Sequence, residues 1–311
     1  MAFKTVSHIA LSLVLLIPMM LYYTQQGYRP PQSETTQPLF QGITYERRIH
    51  TSPRPVVLHV VTIDLRMAGL QPLVTPNLIA TSLSTSSTDT QKVSIQAQRT
   101  RDFLEQFEVQ VAVNANYFSP FREKTAWNFY PHTGDRVYAG GEAIGNGDRY
   151  SIPRHYRPAL CFRKLTPTSS HTAHFELDGT CPDNTVQAVS GRDILVRDGN
   201  LMTKFPEQPD DKPYPRTAVG VDQAGHTLWL VIVDGKQPLY SEGILLSELA
   251  QVFERLGADG AIALDGGGSA TLVVDSESGS TILNAPIHTK WPMRERPVAN
   301  HLGFYAQPIV E

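Results

Sequence analysis

The stretch 246–274, LSELAQVFERLGADGAIALDGGGSATLVV, holds the most regular alternation in the chain. Its apolar spacing predicts a helix over Leu246 to Leu256, with Ser247 near its start and Gly257 as its stop. Ala261 to Leu264 reads as a buried strand, and Ala270 to Val274 as another. Between them lies Asp265-Gly266-Gly267-Gly268-Ser269. Three consecutive glycines carry a high conformational-entropy cost, which makes sense where backbone must come close to a ligand. Their N–H groups can then face a phosphate oxygen. The plainer reading is a tight turn between two strands, capped by Asp265. No Gly-Lys-Ser/Thr follows, so this is not a Walker loop, and it is not a GxGxxG dinucleotide motif.

Outward from this stretch, Thr217 to Val221 and Thr227 to Val233 are apolar runs joined by Asp222-Gln223-Ala224-Gly225, a hairpin. Val56 to Leu65, Val109 to Val113, Val186 to Gly191 and Ile194 to Arg197 read as further strands. Val93 to Phe107 has helical spacing, Thr81 to Gln91 reads as an exposed loop, and Thr125 to Ile152 as hairpins and long loops. The order is not a regular βαβ alternation, and the expected fold is α+β: mixed sheets with packed helices in a single catalytic domain, residues 42–311.

The N-terminus reads differently. Lys4 precedes an apolar run from Ile9 to Tyr23, the length of a signal-peptide core and short for a full span. Residues 1–23 are therefore expected to be a signal peptide or signal anchor, and 24–41, rich in Gln, Pro, Thr and Ser, a flexible linker. This places the protein outside the cytoplasm, periplasmic or extracellular, with the membrane as a partner through the N-terminal segment. Two lone cysteines, Cys161 and Cys181, are either buried thiols or one disulfide, and export favours the disulfide. A formal net charge of -3 with no basic block argues against nucleic-acid binding. The scattered histidines form no metal spacing.

The remaining polar candidates are weaker one by one. Arg216, at the entry of an apolar strand, offers a planar fork suited to phosphate. Asn114 and Asn116 end a strand beside Tyr117 and Phe118, as turn residues or as ligands for sugar hydroxyls. Glu295-Arg296 reads as a solvated pair, and Asp234-Gly235 as a strand-ending turn.

Together, RTAVGVD (216–222), LWLVIVDGK (228–236), the 246–274 stretch and RERPVANHLGF (294–304) resemble the phosphodiester glycosidase family. The resemblance covers Val56 to Tyr305 and is most specific from Arg216 onwards. It extends to Ser190-Gly191-Arg192 and to Asn114–Phe118, where Ala115 and Asn116 stand in place of the family's two glycines. It implies hydrolysis of a glycosyl phosphodiester at the anomeric bond. Arg216 is then the expected phosphate clamp, Asp265 the catalytic carboxylate and Glu295 its partner. Asn114, Asn116, Asp234, Gly266, Gly267, Gly268, Ser269 and Arg296 are expected to bind substrate, a sugar-phosphate diester or phosphorylated glycan of the envelope or exopolysaccharide. No cofactor is expected. Two alternatives stay open: a non-catalytic module that binds phosphorylated polysaccharide, and a metal-dependent phosphodiesterase with a divalent ion between Asp234 and Asp265.

Overall fold

The computed structural model describes residues 17–77, 93–164, 171–206, 211–277 and 279–309. The Thr81 to Gln91 loop and most of the apolar N-terminal run lie outside them.

The main body is three antiparallel sheets. The largest has eight strands, in the spatial order Thr35–Phe40, Ile43–His50, Val56–Asp64, Thr227–Val233, Arg216–Val221, Gly260–Ala263, Asp193–Arg197, Asn200–Leu201. A five-stranded sheet runs Thr281–Ile282, Leu272–Val274, Val111–Asn114, His301–Tyr305, Gln71–Val74. A second five-stranded sheet is built around Ala159–Lys164 and Gln187–Ser190.

The run LWLVIV shows why the sheets stack. Successive side chains of a strand point to opposite faces. Leu228, Leu230 and Ile232 enter the central core, where they meet Val113, Leu302 and Phe304 of one five-stranded sheet and Leu160 and Phe162 of the other. Trp229, Val231 and Val233 face the opposite way, into a second core closed by the helix Leu246–Leu256. Leu246, Leu249, Ala250, Val252 and Phe253 are the buried stripe of that helix. Phe253 packs so close to Gly220 that a Cβ there would lie 2.5 Å from its ring. Fully burying such a ring contributes about 1.5–3 kcal/mol.

The expectation of mixed sheets and packed helices overstates the helices. Every pairing between named strands is antiparallel, and the molecule is mostly β. The expected helix from Val93 begins only at Thr100 and ends at Phe107. Ile95 and Ala97 are buried with Gln96 exposed between them, a strand period, and Ile95 pairs with Val137. The expected linker also differs: Thr35–Phe40 is the edge strand beside Ile43–His50. Thr36, Gln37 and Pro38 are exposed, as suits an edge with one side open to water, while Leu39 and Phe40 pack against the central core. Residues 17–26 are helical, and among the described residues no helix is long and apolar enough to cross a membrane. Cys161 and Cys181 form a disulfide within a small cluster with Ile144, Ala159 and Ala188.

Candidate active site

Strand register assembles the site. Ala263 pairs with Ala218 on one side and with Asp193 on the other. The backbone N of Leu264 donates to Thr217 O at 2.8 Å, and Arg192 N to Ala263 O at 2.9 Å. Arg216, Asp265 and Arg192 therefore emerge at the same end of the sheet. The neighbouring sheet joins there: Asp265 N donates to Ala115 O at 3.0 Å, and Asn114 Nδ2 donates to Asp265 O at 2.5 Å. The result is a pocket of about 350 Å³ walled by Tyr117, Phe118, Phe121, Arg192, Lys212, Tyr214, Arg216, Asp265, Gly266 and Arg296. Asp265 is the one carboxylate lining it among the described residues.

Asp265 is held by a chain of hydrogen bonds. Ser269 Oγ donates to Asp265 Oδ2 at 2.7 Å. Arg296 Nη1 donates to Ser269 Oγ at 3.1 Å, and Arg296 Nη2 to Glu123 Oε2 at 2.5 Å. The Nε of Arg296 lies 3.2 Å from His288 Nδ1. Burial pushes the Asp265 carboxyl above the ordinary aspartate range; the charges of Arg296 and Arg192 and the Ser269 hydrogen bond oppose it. Glu123 moves the other way, down to about 2, through its hydrogen bond to His288 and the charge of Arg296.

The glycines make this packing possible. A Cβ on Gly266 would meet Pro215 O at 2.6 Å, and one on Gly268 would meet Arg296 Nη2 at 2.6 Å. Gly267, at φ 65°, leaves its face to the Tyr214 ring. Three glycines thus let the Asp265 loop lie against both the strand of Arg216 and the guanidinium of Arg296.

The cations sit opposite. Arg216 is buried, and Nη2 donates to Asp211 Oδ1 at 3.1 Å and to Lys212 O at 3.3 Å. Burial lowers its pKa from the ordinary arginine value, against the pull of Asp211. Arg192 Nε donates to Asp193 Oδ2 at 3.0 Å, with its guanidinium 4.6 Å over the Tyr117 ring. The Tyr214 hydroxyl accepts a hydrogen bond from Lys236 Nζ at 2.7 Å.

Of the residues expected from sequence, Arg216, Asp265, Gly266 and Arg296 line the pocket, and Gly267, Gly268 and Ser269 form the loop behind it. Asn114 supports the loop from behind: its Oδ1 accepts from Thr217 Oγ1 and Thr271 N. Asn116 is buried and committed to protein, donating to Gly140 O and Glu142 O and accepting from Ser190 N. Neither amide faces the pocket. Asp234 does not either. Its Oδ2 meets His59 Nε2 at 3.0 Å and its Oδ1 accepts from Ala285 N at 2.7 Å, inside a core where it is 1% exposed. Glu295 lies apart from Asp265. Its Oε2 accepts from Arg101 N at 3.1 Å, at the start of the helix Thr100–Phe107, because adjacent residues in an extended segment point to opposite sides.

Arg192, Lys212, Tyr214, Phe121, Glu123 and His288 were not expected. Arg192 and Tyr214 had a signal, since each flanks a strand whose register ends at the site. Glu123 comes from a two-residue strand, Arg122–Glu123, and His288 from a single 3-10 turn, His288–Lys290, both too short to show a periodicity in sequence. Among the described residues, no group of three His, Cys, Asp or Glu side chains is placed to hold a metal.

The chain superposes on several solved structures, among them two that each cover 90% of this chain. One is a hypothetical protein from Synechocystis, at TM-score 0.61 and 15% identity over 90% of this chain. This chain spans 64% of that protein's length, just under two thirds. The other is the zebrafish N-acetylglucosamine-1-phosphodiester alpha-N-acetylglucosaminidase catalytic domain, auto-inhibited by its pro-peptide, at TM-score 0.56 and 20% identity, covering 90% of this chain and 87% of that one. Both likenesses concern the fold. A search of curated protein sequences finds no match. The sequence profile of the phosphodiester glycosidase family matches residues 107–305. That span is more than half of the 311 residues and contains every wall of the pocket, and the chain belongs to the phosphodiester glycosidase family.

Proposed function

We propose that this protein hydrolyses a glycosyl phosphodiester at the anomeric C–O bond. The observation that carries the reading is a single carboxylate, Asp265, in a pocket otherwise lined by cations and aromatic rings. The cations suit the phosphate, which leaves as an anion and needs charge neutralisation more than a proton. Arg216, Arg192 and Lys212 are placed for that. The rings of Tyr117 and Phe118 offer apolar faces for a sugar. Asp265 then stabilises the oxocarbenium-like centre or attacks it, and either role needs the ionised form. Arg296 and Ser269 favour that form in a buried site where desolvation opposes it.

The pocket does not use Glu295 as a second carboxylate, and a good leaving group makes a separate general acid unnecessary. The disulfide supports work in an oxidising compartment, outside the cytoplasm, and a phosphorylated envelope glycan or exopolysaccharide is the substrate class that fits this placement. Export through the N-terminal segment belongs to the same proposal.

The test is Asp265→Asn against a panel of sugar-1-phosphodiesters, with products analysed by mass. Wild type releases free sugar and a phosphomonoester. The variant loses at least a thousandfold in kcat with its melting temperature unchanged, because Asn keeps the size and the hydrogen bond to Ser269. Near-normal turnover in the variant would refute the role of Asp265. An inert wild type that still binds the diesters would favour a non-catalytic module, and loss of activity in EDTA a metal-dependent phosphodiesterase.

A further inference from the structure

A second, larger cleft of about 850 Å³ lies on the other side of Arg296 and His288. Its walls include Trp127, Trp291, Arg99, Arg101, Arg294 and His288. Leu21 and Gln25, from the helical residues 17–26, close one side. Nothing in the chemistry at Asp265 uses it.

Three features distinguish this cleft from an incidental groove. The first is an aromatic platform. Trp127 is 73% exposed, a costly position for an indole, and its ring centroid stands 6.2 Å from that of Trp291 at 60°. Trp127 is held in place: Trp127 N and Asn128 N both donate to Thr125 Oγ1, and Arg294 Nη1 pins the same tip through Ala126 O at 2.8 Å.

The second is charge. Arg99, Arg101 and Arg294 face one lining carboxylate, Glu295, which Arg101 already satisfies. Arg99 is paired with Asp102. Arg294 is different. Nη1 serves Ala126 O and Thr289 Oγ1, while Nε and Nη2 have no acceptor among the described residues. The guanidinium is partly buried, stacks 4.7 Å over the Phe129 ring and keeps two nitrogens open towards the cleft, which suits an anionic oxygen.

The third is an orphaned atom. His288 is 1% exposed, lines the cleft, and its Nε2 has no hydrogen-bond partner among the described residues. Buried polar atoms are normally satisfied, so one left open at a cleft wall marks a place for a ligand atom.

We propose that this cleft binds the acidic glycan chain that flanks the scissile diester, its sugar rings on Trp127 and Trp291 and a neighbouring phosphate on Arg294. The inference rests on the glycosidase reading for its choice of ligand. It makes the natural substrate a polymer or long oligosaccharide. The two sites share the wall in which Arg296 Nε and His288 Nδ1 are 3.2 Å apart, and Phe121 of the pocket adjoins the short hairpin Arg122–Tyr130 that carries Trp127 and Phe129 of the cleft. A chain bound at Asp265 thus has a direct continuation.

The test is affinity electrophoresis of the full chain, in the Asp265→Asn background, through gels containing phosphomannan or the same mannan with its phosphates removed. The parent is retarded more by the phosphomannan. Trp127→Ala weakens retardation by both polymers at least tenfold. Arg294→Gln reduces the preference for the phosphorylated one at least threefold, the remainder belonging to the cations of the Asp265 pocket. With Asp265 restored, Trp127→Ala hydrolyses a small methyl sugar-1-phosphodiester within twofold of wild type. Retardation of both variants equal to the parent, or no retardation of the parent by phosphomannan, overturns the proposal. If the retardation pattern holds while no diester is hydrolysed, the catalytic reading fails and the cleft stands.

Discussion

Ser269 carries a prediction that belongs to a single hydrogen bond. Its hydroxyl donates to Asp265 and accepts from Arg296, so it passes the stabilising effect of the guanidinium on to the carboxylate. The carboxyl is raised by burial and lowered by this bond. If the ionised form is the active one, activity falls as the pH drops through its pKa. Ser269→Ala removes a stabiliser of the ionised form, so the acid limb of the kcat/KM profile moves to higher pH, with the plateau largely kept. A limb that stays in place would mean Asp265 does not govern it. The same shift has a stability side. A carboxyl raised on folding binds its proton more tightly in the folded chain, so its contribution weakens as pH rises from the unfolded value through the folded one.

Glu295 shows how an element claims a residue that the sequence offered to the site. It stands one position from Arg296, and the run RER is part of what resembled the family. The two side chains part: Arg296 reaches Asp265 through Ser269, and Glu295 accepts from Arg101 N in the first turn of the helix Thr100–Phe107. A carboxylate there satisfies a free N–H and complements the helix dipole. Glu295→Gln should therefore lower the melting temperature, by about 1–2 kcal/mol of stability, and leave kcat within severalfold of wild type. A loss of several orders of magnitude in kcat, with melting intact, would return Glu295 to the chemistry.

The strands and the helix were legible where the pattern was strong. Thr227 to Val233 and Leu246 to Leu256 lie where their spacing placed them, and Asp265 and Arg216 meet because Ala263 pairs with Ala218. Val93 and Ala97 misled because an i, i+4 spacing also fits the two-residue period of a strand, which Ile95 completes. Asn116 misled because an amide that holds three backbone groups in a core looks, in sequence, like one that awaits a sugar. Glu123 and His288 showed no periodicity, since a two-residue strand and a single 3-10 turn are too short to carry a repeat.

At the scale of the molecule, the N-terminal boundary of the domain is testable. Thr35–Phe40 covers the hydrogen-bonding edge of Ile43–His50. Residues before it contribute scattered contacts, such as Gln32 Nε2 to Tyr240 O at 2.8 Å. A chain starting at Glu34 should melt in one transition, slightly below the full chain. A chain starting at Gly42 exposes the next strand as a bare edge and should aggregate on heating. Equal behaviour of the two would show that the edge strand is dispensable. The strand His301–Tyr305 has the opposite position. It lies inside its sheet, between Val111–Asn114 and the edge strand Gln71–Val74, yet among the described residues it follows every other strand in the chain. On a ribosome the polypeptide emerges from its N-terminus, so Gln71–Val74 has no strand to pair with in this sheet until synthesis is nearly over. Val111–Asn114, whose last residue holds the backbone of Asp265, gains its second neighbour only then. The backing of the Asp265 loop is therefore among the last parts of the molecule to be completed.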